Sequence, residues 1–351
     1  MRRVHATFVL VSLALGACSN ASPADSSGTN RSEATSANEP DEAGDSSTEG
    51  PSETESESET GDEGLDPCSP EAALEVVTFN IRFDDGFGSM IAENGWLNLE
   101  NPRREMVVAL TEDMDPDLMG VQEALVNQVV NLKGDLPAYG FVGVGRDDGD
   151  QAGEYAGIFY KRDRLELLDE GHFWLSETPD VPGTVFEGSG STRMATWVVV
   201  RDRLTLRELF VINTHWDNAS QASREQSAAL MRSMLGPLAS ERPIVFTGDL
   251  NVAESNPALQ ALLADGPEGS PAMIDGYRQV VPVADADEAT FHGFGGNPTG
   301  SRIDYVLHDA NFATTAAAIR RDSFEGKYPS DHFPVSGTLE WTHDADGMAC
   351  P

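Results

Sequence analysis

Short apolar runs recur at 76–79, 118–121, 141–144, 158–160, 196–200, 209–212, 244–246, 303–307 and 335–339, each closed by polar residues. Runs of this length, bounded by turn-forming residues, predict buried strands. Two stretches between them carry helical spacing instead. Asn101-Pro102 supplies a cap and first turn ahead of Met106, Val107, Leu110 and Met114. Ser223 opens a second stretch that presents Leu230, Met234 and Leu238. Other neighbouring runs are joined by loops alone, so the sheets are expected to be mixed. No internal repeat of solenoid type is apparent.

Polar residues fall at the exits of these runs. Asn80 follows 76–79, Gln122-Glu123 follow 118–121, His215 follows 209–214, and Asp249 and Asn251 follow 244–248. If the exits share one edge of the packed sheets, amides, carboxylates and imidazoles converge in one cleft. Asp304 and the pair Asp331-His332 would complete it.

The N-terminus is built differently. Residues 6–17 are apolar, too short to span a bilayer, and preceded by Arg2 and Arg3, which predicts a signal peptide over 1–17. Leu15-Gly16-Ala17-Cys18 resembles a lipobox, in which the Cys18 thiol takes diacylglycerol; an ordinary secretory signal is the alternative. Residues 18–66 hold 14 acidic side chains against Arg31 alone, and apart from Leu65 they hold no large apolar side chain. Such a stretch cannot build a core and predicts an expanded acidic tether. The domain then occupies 67–351. An exported bacterial lipoprotein of the cell envelope is expected, membrane-bound through its lipid, and Ser19 after Cys18 suits the outer membrane. Export also places Cys68 and Cys350 in an oxidising compartment, which predicts a disulfide between the domain's ends, with two free thiols as the alternative.

The chain of 351 residues carries a net charge of −36. Arg2 and Arg3 contribute +2 and the tether −13, which leaves −25 on the domain itself. This balance argues against a basic groove that tracks polymeric phosphate, and favours a small substrate.

Thr78-Phe79-Asn80, Gln122-Glu123, Asn213-Thr214-His215, Gly248-Asp249-Leu250-Asn251, Ser301-Arg302-Ile303-Asp304-Tyr305 and Ser330-Asp331-His332 resemble, in this order, the motif set of the endonuclease/exonuclease/phosphatase superfamily, the fold of pancreatic-type deoxyribonuclease. Gly145-Arg146-Asp147-Asp148-Gly149, Gly153-Glu154-Tyr155, the 173–179 segment and the 328–334 segment are similar to an exported bacterial branch of it. The resemblance implies a four-layer α/β sandwich: two packed mixed β-sheets flanked by helices.

It also implies roles. Phosphoester hydrolysis needs a hard cation, an activated water and donors around the reacting phosphorus. Glu123 is the first expected ligand for Mg²⁺, or alternatively Mn²⁺, with Asn80 and Asp331 as close partners of the metal site. Asp249 is expected to orient or deprotonate water, and Asn251 to donate to a phosphate oxygen. Asn80 and His215 are also placed at the substrate. Asp304 and His332 look like a carboxylate-imidazole pair, and His215 with Glu154 like a second.

Several features carry weaker readings. Asp147-Asp148-Gly149-Asp150 lacks the pattern of a calcium loop and reads as an acidic turn. Phe291 and Phe294 on a Gly-rich loop offer stacking surfaces. Arg82, Trp96 and Arg103 lie near the first motif, but the insertion-like stretch 84–93 keeps them without assigned roles, as His172, His308 and His343 are for want of any motif. The leading expectation is a membrane-tethered, divalent-metal-dependent phosphoesterase with a phosphate-ester substrate and no obligate protein partner. Nucleic acid enters only as a substrate, in the alternative of a secreted nuclease. A sphingomyelinase-type phospholipase and a non-catalytic surface binding protein complete the set.

Overall fold

Each of the nine apolar runs overlaps a strand, 141–144 only by its first two residues, and three further strands join them among the described residues. The computed structural model describes residues 64–351 except 87, 89, 91–93 and 267–269. The expected signal peptide, Cys18 and the tether up to residue 63 lie outside the described residues. In chain order the elements are β1 (Leu74–Asn80), α1 (Arg103–Met114), β2 (Leu118–Ala124), α2 (Val126–Asp135), β3 (Tyr139–Val142), β4 (Tyr155–Lys161), β5 (Leu165–Trp174), β6 (Met194–Asp202), β7 (Glu208–His215), α3 (Gln221–Ala239), β8 (Ile244–Asp249), α4 (Pro257–Leu263), β9 (Ile274–Asp275), α5 (Gly276–Val280), β10 (Asp304–His308), β11 (Phe312–Ile319) and β12 (Val335–Trp341).

One sheet runs β11-β12-β1-β2-β4-β3, the other β5-β6-β7-β8-β10-β9. β1 pairs parallel with β2 across α1, and β7 parallel with β8 across α3, while the other pairings are antiparallel. The sheets are therefore mixed, as expected. Side chains alternate between faces along each strand, and three apolar layers result. Val76, Leu118, Val211, Val245 and Val306 fill the space between the sheets. Val77, Phe79 and Met119 point the other way, onto Val107 and Leu110 of α1 and Leu132 of α2. Phe210, Ile212 and Phe246 meet Met231 and Leu235 of α3 and Leu259 of α4. The order is helices, sheet, sheet, helices.

The differences from the sequence reading are local. Pro102, not Asn101, stands at the N-cap of α1, without a side-chain cap. In α3 the cap is Ser220, whose side chain accepts from the Ser223 N–H, so Ser223 lies in the first turn. The buried stripe is Ala228, Met231, Leu235 and Ala239; Leu230, Met234 and Leu238 flank it, one residue out of phase with the expected face. β5 and β11, each at the edge of a sheet, escaped the pattern because they carry few buried large side chains. The middle of β5 is exposed, and β11 is built mainly from Ala and Thr.

Cys68 and Cys350 form the expected disulfide, with Cα atoms 5.3 Å apart. It lies beyond the start of β1, at the end of that strand opposite Asn80.

Candidate active site

Four strand ends meet at one edge. Asn80 ends β1, opposite Gln122 of β2, and His215 ends β7, opposite Asp249 of β8. β10 runs antiparallel to β8, so its first residue, Asp304, also stands opposite Asp249. The segment before β12 brings Asp331 and His332, tied down where Ser330 Oγ donates to the Asn80 carbonyl at 2.6 Å.

Glu123 arrives by a distortion of the ladder. Val121 pairs with Gly157 and Ala124 with Tyr155, so β2 holds one residue more than β4 between these pairs. This is a β-bulge, and Glu123 adopts φ +65°, a left-handed conformation uncommon outside glycine. The bulge turns its carboxylate toward the end of β1, where Asn80 and the Phe83 N–H donate to it. Asn80 Nδ2 donates to Glu123 Oε1 and to Asp249 Oδ2, both at 3.0 Å. Its Oδ1 accepts the Arg82 backbone N–H at 3.0 Å. Asn80 thus presents donors to the centre, and its carbonyl oxygen, expected near the metal, is engaged elsewhere.

Asp249 is the hub. His215 Nε2 lies 3.5 Å and His332 Nε2 3.8 Å from its Oδ2, while its Oδ1 accepts the Asn251 N–H at 2.9 Å. Burial, and then the neighbouring Asp304 charge, push its carboxyl up to about 7. The two imidazoles are in opposite states. Burial works against charge on His332, but Asp304, with Oδ2 2.9 Å from Nδ1, and then Asp249 and Asp331 raise the ring to about 10. The expected Asp304-His332 pair is therefore present, and the ring carries its charge. Burial, reinforced by Arg193 and Arg146, holds His215 well below its ordinary value, so that ring is neutral.

The second expected pair is brought together loosely. His215 Nδ1 stands 3.9 Å from Glu154 and has no hydrogen bond among the described residues, while both Glu154 oxygens accept from Arg146, at 2.6 and 2.8 Å. An arginine fork matches a carboxylate better than an imidazole edge. Asn251 has φ +53°, and its Nδ2 donates to the Trp216 carbonyl at 3.0 Å, which fixes the amide and leaves its second N–H for another acceptor.

A hard cation needs oxygen ligands. Arg82 shows where positive charge is wanted: Nη1 lies 3.6 Å from Glu123 and Nε 3.7 Å from Asp331. Burial raises the Asp331 carboxyl, as expected for a group lacking full compensation. These two carboxylates fit Mg²⁺ or Mn²⁺. Asp249, Asp304 and His332 also place three ligand-type atoms within 4.8 Å of one another. Within that triad His332 Nδ1 is taken up by Asp304, and Nε2 faces Asp249.

Arginines surround the site in an otherwise acidic domain. Arg103 is fully buried and donates to the carbonyls of Ile81, Arg82, Phe83, Asn94 and Pro329 at 2.5–3.3 Å, tying together the loops after Asn80 and before Ser330. Burial lowers its guanidinium to about 10. Trp96 is core, with Nε1 donating to Asn131. Arg193 is 5% exposed, and its Nε and Nη1 have no hydrogen-bond partner among the described residues; with Arg146, Glu154 and His215 it lines a small pocket beside the centre. Arg193 directly precedes β6, and Arg146 stands in the loop after β3, so neither sits at the end of a strand. Phe291 is half-exposed, its ring edge-on to His332 at 5.2 Å, whereas its neighbour His292 stacks on Phe333 at 3.8 Å. The 147–150 segment closes on itself, with Asp148 accepting from the N–H groups of Asp150 and Ala152.

Residues 77–332 match the model of the Endonuclease/Exonuclease/phosphatase family. A solved endonuclease/exonuclease/phosphatase from Bacteroides vulgatus is 34% identical, with a TM-score of 0.68 over 77% of this chain and 99% of that one. A mannosyl-6-phosphatase from Bacteroides thetaiotaomicron is 30% identical, with a TM-score of 0.66 over 76% and 99%. An uncharacterised protein of Acanthamoeba polyphaga mimivirus is 24% identical over 210 residues, half of this chain; the match spans only 30% of that protein's length.

Proposed function

Since the chain belongs to the endonuclease/exonuclease/phosphatase family, we propose that it hydrolyses a small phosphate monoester, of the sugar-phosphate class, with Mg²⁺ or Mn²⁺ as cofactor. The reading rests above all on Asp249, a buried carboxylate held near neutral pH between a donor amide and two imidazoles in opposite states. The mannosyl-6-phosphatase neighbour supports a sugar phosphate, and the acidic domain supports a small substrate over a polymer.

The residues divide the work. Glu123 and Asp331 would hold the cation, which supplies charge neutralisation at the phosphate. Asp249 accepts a proton from the attacking water, a task suited to a carboxyl titrating near 7. As the oxygen-phosphorus bond forms and the bond to the sugar oxygen breaks, negative charge grows on the phosphoryl oxygens and the departing sugar oxygen, which takes a proton from solvent water and leaves as the alcohol. The His332 imidazolium, held by Asp304, faces that charge. Asn80 and Asn251 supply amide N–H donors, and neutral His215 packs against Asp249 without competing for its proton.

The test is phosphate release from mannose 6-phosphate, compared with cleavage of bis-(p-nitrophenyl) phosphate and of a single-stranded oligonucleotide, with Mg²⁺, Mn²⁺ or EDTA. Metal-dependent release from the monoester, abolished by EDTA and by Asp249→Ala, is the expected result. Faster oligonucleotide cleavage would replace this reading with a nuclease. We further propose that Cys18 carries a lipid and that the 18–66 stretch tethers the domain to a membrane on the outer side of the cell; palmitate labelling that Cys18→Ala does not reduce would refute it.

A further inference from the structure

One layer beneath the site the two sheets are joined by side chains that no reaction step uses. Asn213 is fully buried on β7, two residues before His215. Its Nδ2 donates to the carbonyls of Val121 and Gly157, both at 2.9 Å. Its Oδ1 accepts from Gln122 Nε2 at 2.7 Å and from Thr247 Oγ1 at 3.1 Å. An amide has two donor hydrogens and two acceptor lone pairs, so Asn213 is saturated.

The partners are informative. Val121 and Gly157 form the last β2-β4 pair before the ladder opens into the bulge. Gln122, inside the bulge, precedes Glu123 and also donates to Thr78 at 3.1 Å. Thr247 lies two residues before Asp249. A side chain of the second sheet thus grips both strands at one rim of the irregularity that aims Glu123, and links it to the strands carrying His215 and Asp249. Close approach is required: a Cβ on Gly120 would lie 2.1 Å from Thr247 Oγ1 and 2.5 Å from Asn213 Oδ1.

We propose that Asn213 is a positioning residue for Glu123: it locks the β2 bulge from the opposite sheet and so sets the affinity of the site for its divalent cation. The inference rests on the proposed reading of Glu123 as the cation ligand. A left-handed Glu is held only where its surroundings over-determine it, and Asn213 supplies the bonds that do so.

Direct Mn²⁺ binding by isothermal titration and electron paramagnetic resonance tests this on the full chain. Asn213→Ser should weaken Mn²⁺ binding by roughly 10- to 100-fold, as loss of an outer-shell partner does, while Thr247→Val, which leaves both bulge carbonyls bonded, should stay within about twofold of wild type. Activity of Asn213→Ser should recover at saturating Mn²⁺, because the defect lies in cation affinity. If Asn213→Ser does not fold, Asn213→Asp, which keeps both acceptor contacts and loses the N–H donors, is read in its place. Unchanged Mn²⁺ affinity, or equal losses in the Asn213 and Thr247 variants, would overturn the proposal. Wild-type binding that Glu123→Gln leaves intact would instead overturn the cation reading of Glu123.

Discussion

Asp304→Asn removes one charge from the centre and should move both limbs of the pH-rate profile toward lower pH. Asp304 accepts from the His332 ring at 2.9 Å and raises it to about 10; it also repels charge on Asp249, which titrates near 7. Hydrolysis as proposed needs Asp249 ionised and His332 protonated, so the wild-type rate rises through an acid limb no higher than about pH 7 and falls through a base limb near pH 10. A charge-assisted hydrogen bond contributes about 1.5–3 kcal/mol. At about 1.4 kcal/mol per pH unit, its loss lowers the His332 value by about 1–2 units, to about 8–9. Relief of repulsion lowers Asp249 as well. At pH 7.5 the variant should therefore keep much of its activity, and at pH 9.5 it should lose most of it. kcat/KM for mannose 6-phosphate from pH 5 to 11, at saturating Mg²⁺, reads both limbs. A loss of equal size at every pH, or a base limb that stays near 10, would show that Asp304 does not act through the charge of His332.

Two further outcomes follow from the packing. Reduction of Cys68-Cys350, or Cys350→Ser, opens a loop with a sequence separation of 282. In chain-entropy terms this removes about 5–6 kcal/mol, or about 9 °C in Tm for a domain of this size, while activity at 25 °C should stay unchanged; a shift under about 2 °C by scanning calorimetry would contradict it. Gly120→Ala forces a methyl group into the contact between Thr247 and Asn213. Overpacking of this kind costs about 1–3 kcal/mol, so a lower denaturation midpoint together with weaker Mn²⁺ binding is expected, and a wild-type midpoint would refute the close approach of the sheets.

The central strands were legible because β1, β2, β7, β8 and β10 are buried on both faces and leave continuous apolar runs. β5 and β11 left no such trace, since they carry few buried large side chains. The phase of α3 was misjudged by one residue because Ala228 and Ala239, small and weakly apolar, mark its buried stripe. In the site, Asn80, Glu123, His215 and Asp249 stand out by their place at strand exits, Asp304, Asp331 and His332 by the motifs around them, and all seven converge. What could not be read was pairing across loops. Arg146 takes the Glu154 carboxylate expected for His215, and Arg193 comes from the entry of β6, not from an exit. The left-handed Glu123 depends on a mismatch between β2 and β4, which is a property of two strands together.

The bond between Cys68 and Cys350 also changes the topology of the chain. Residues 68–350 form a covalent ring, closed outside the packed layers. A protease that cuts once anywhere within that ring, for instance in the exposed 177–188 segment, yields one molecule with two new ends and no released fragment. The pieces stay at high effective concentration, held by the sheets and by the sulfur link together. Cleavage is then silent on a non-reducing gel and becomes visible only after reduction.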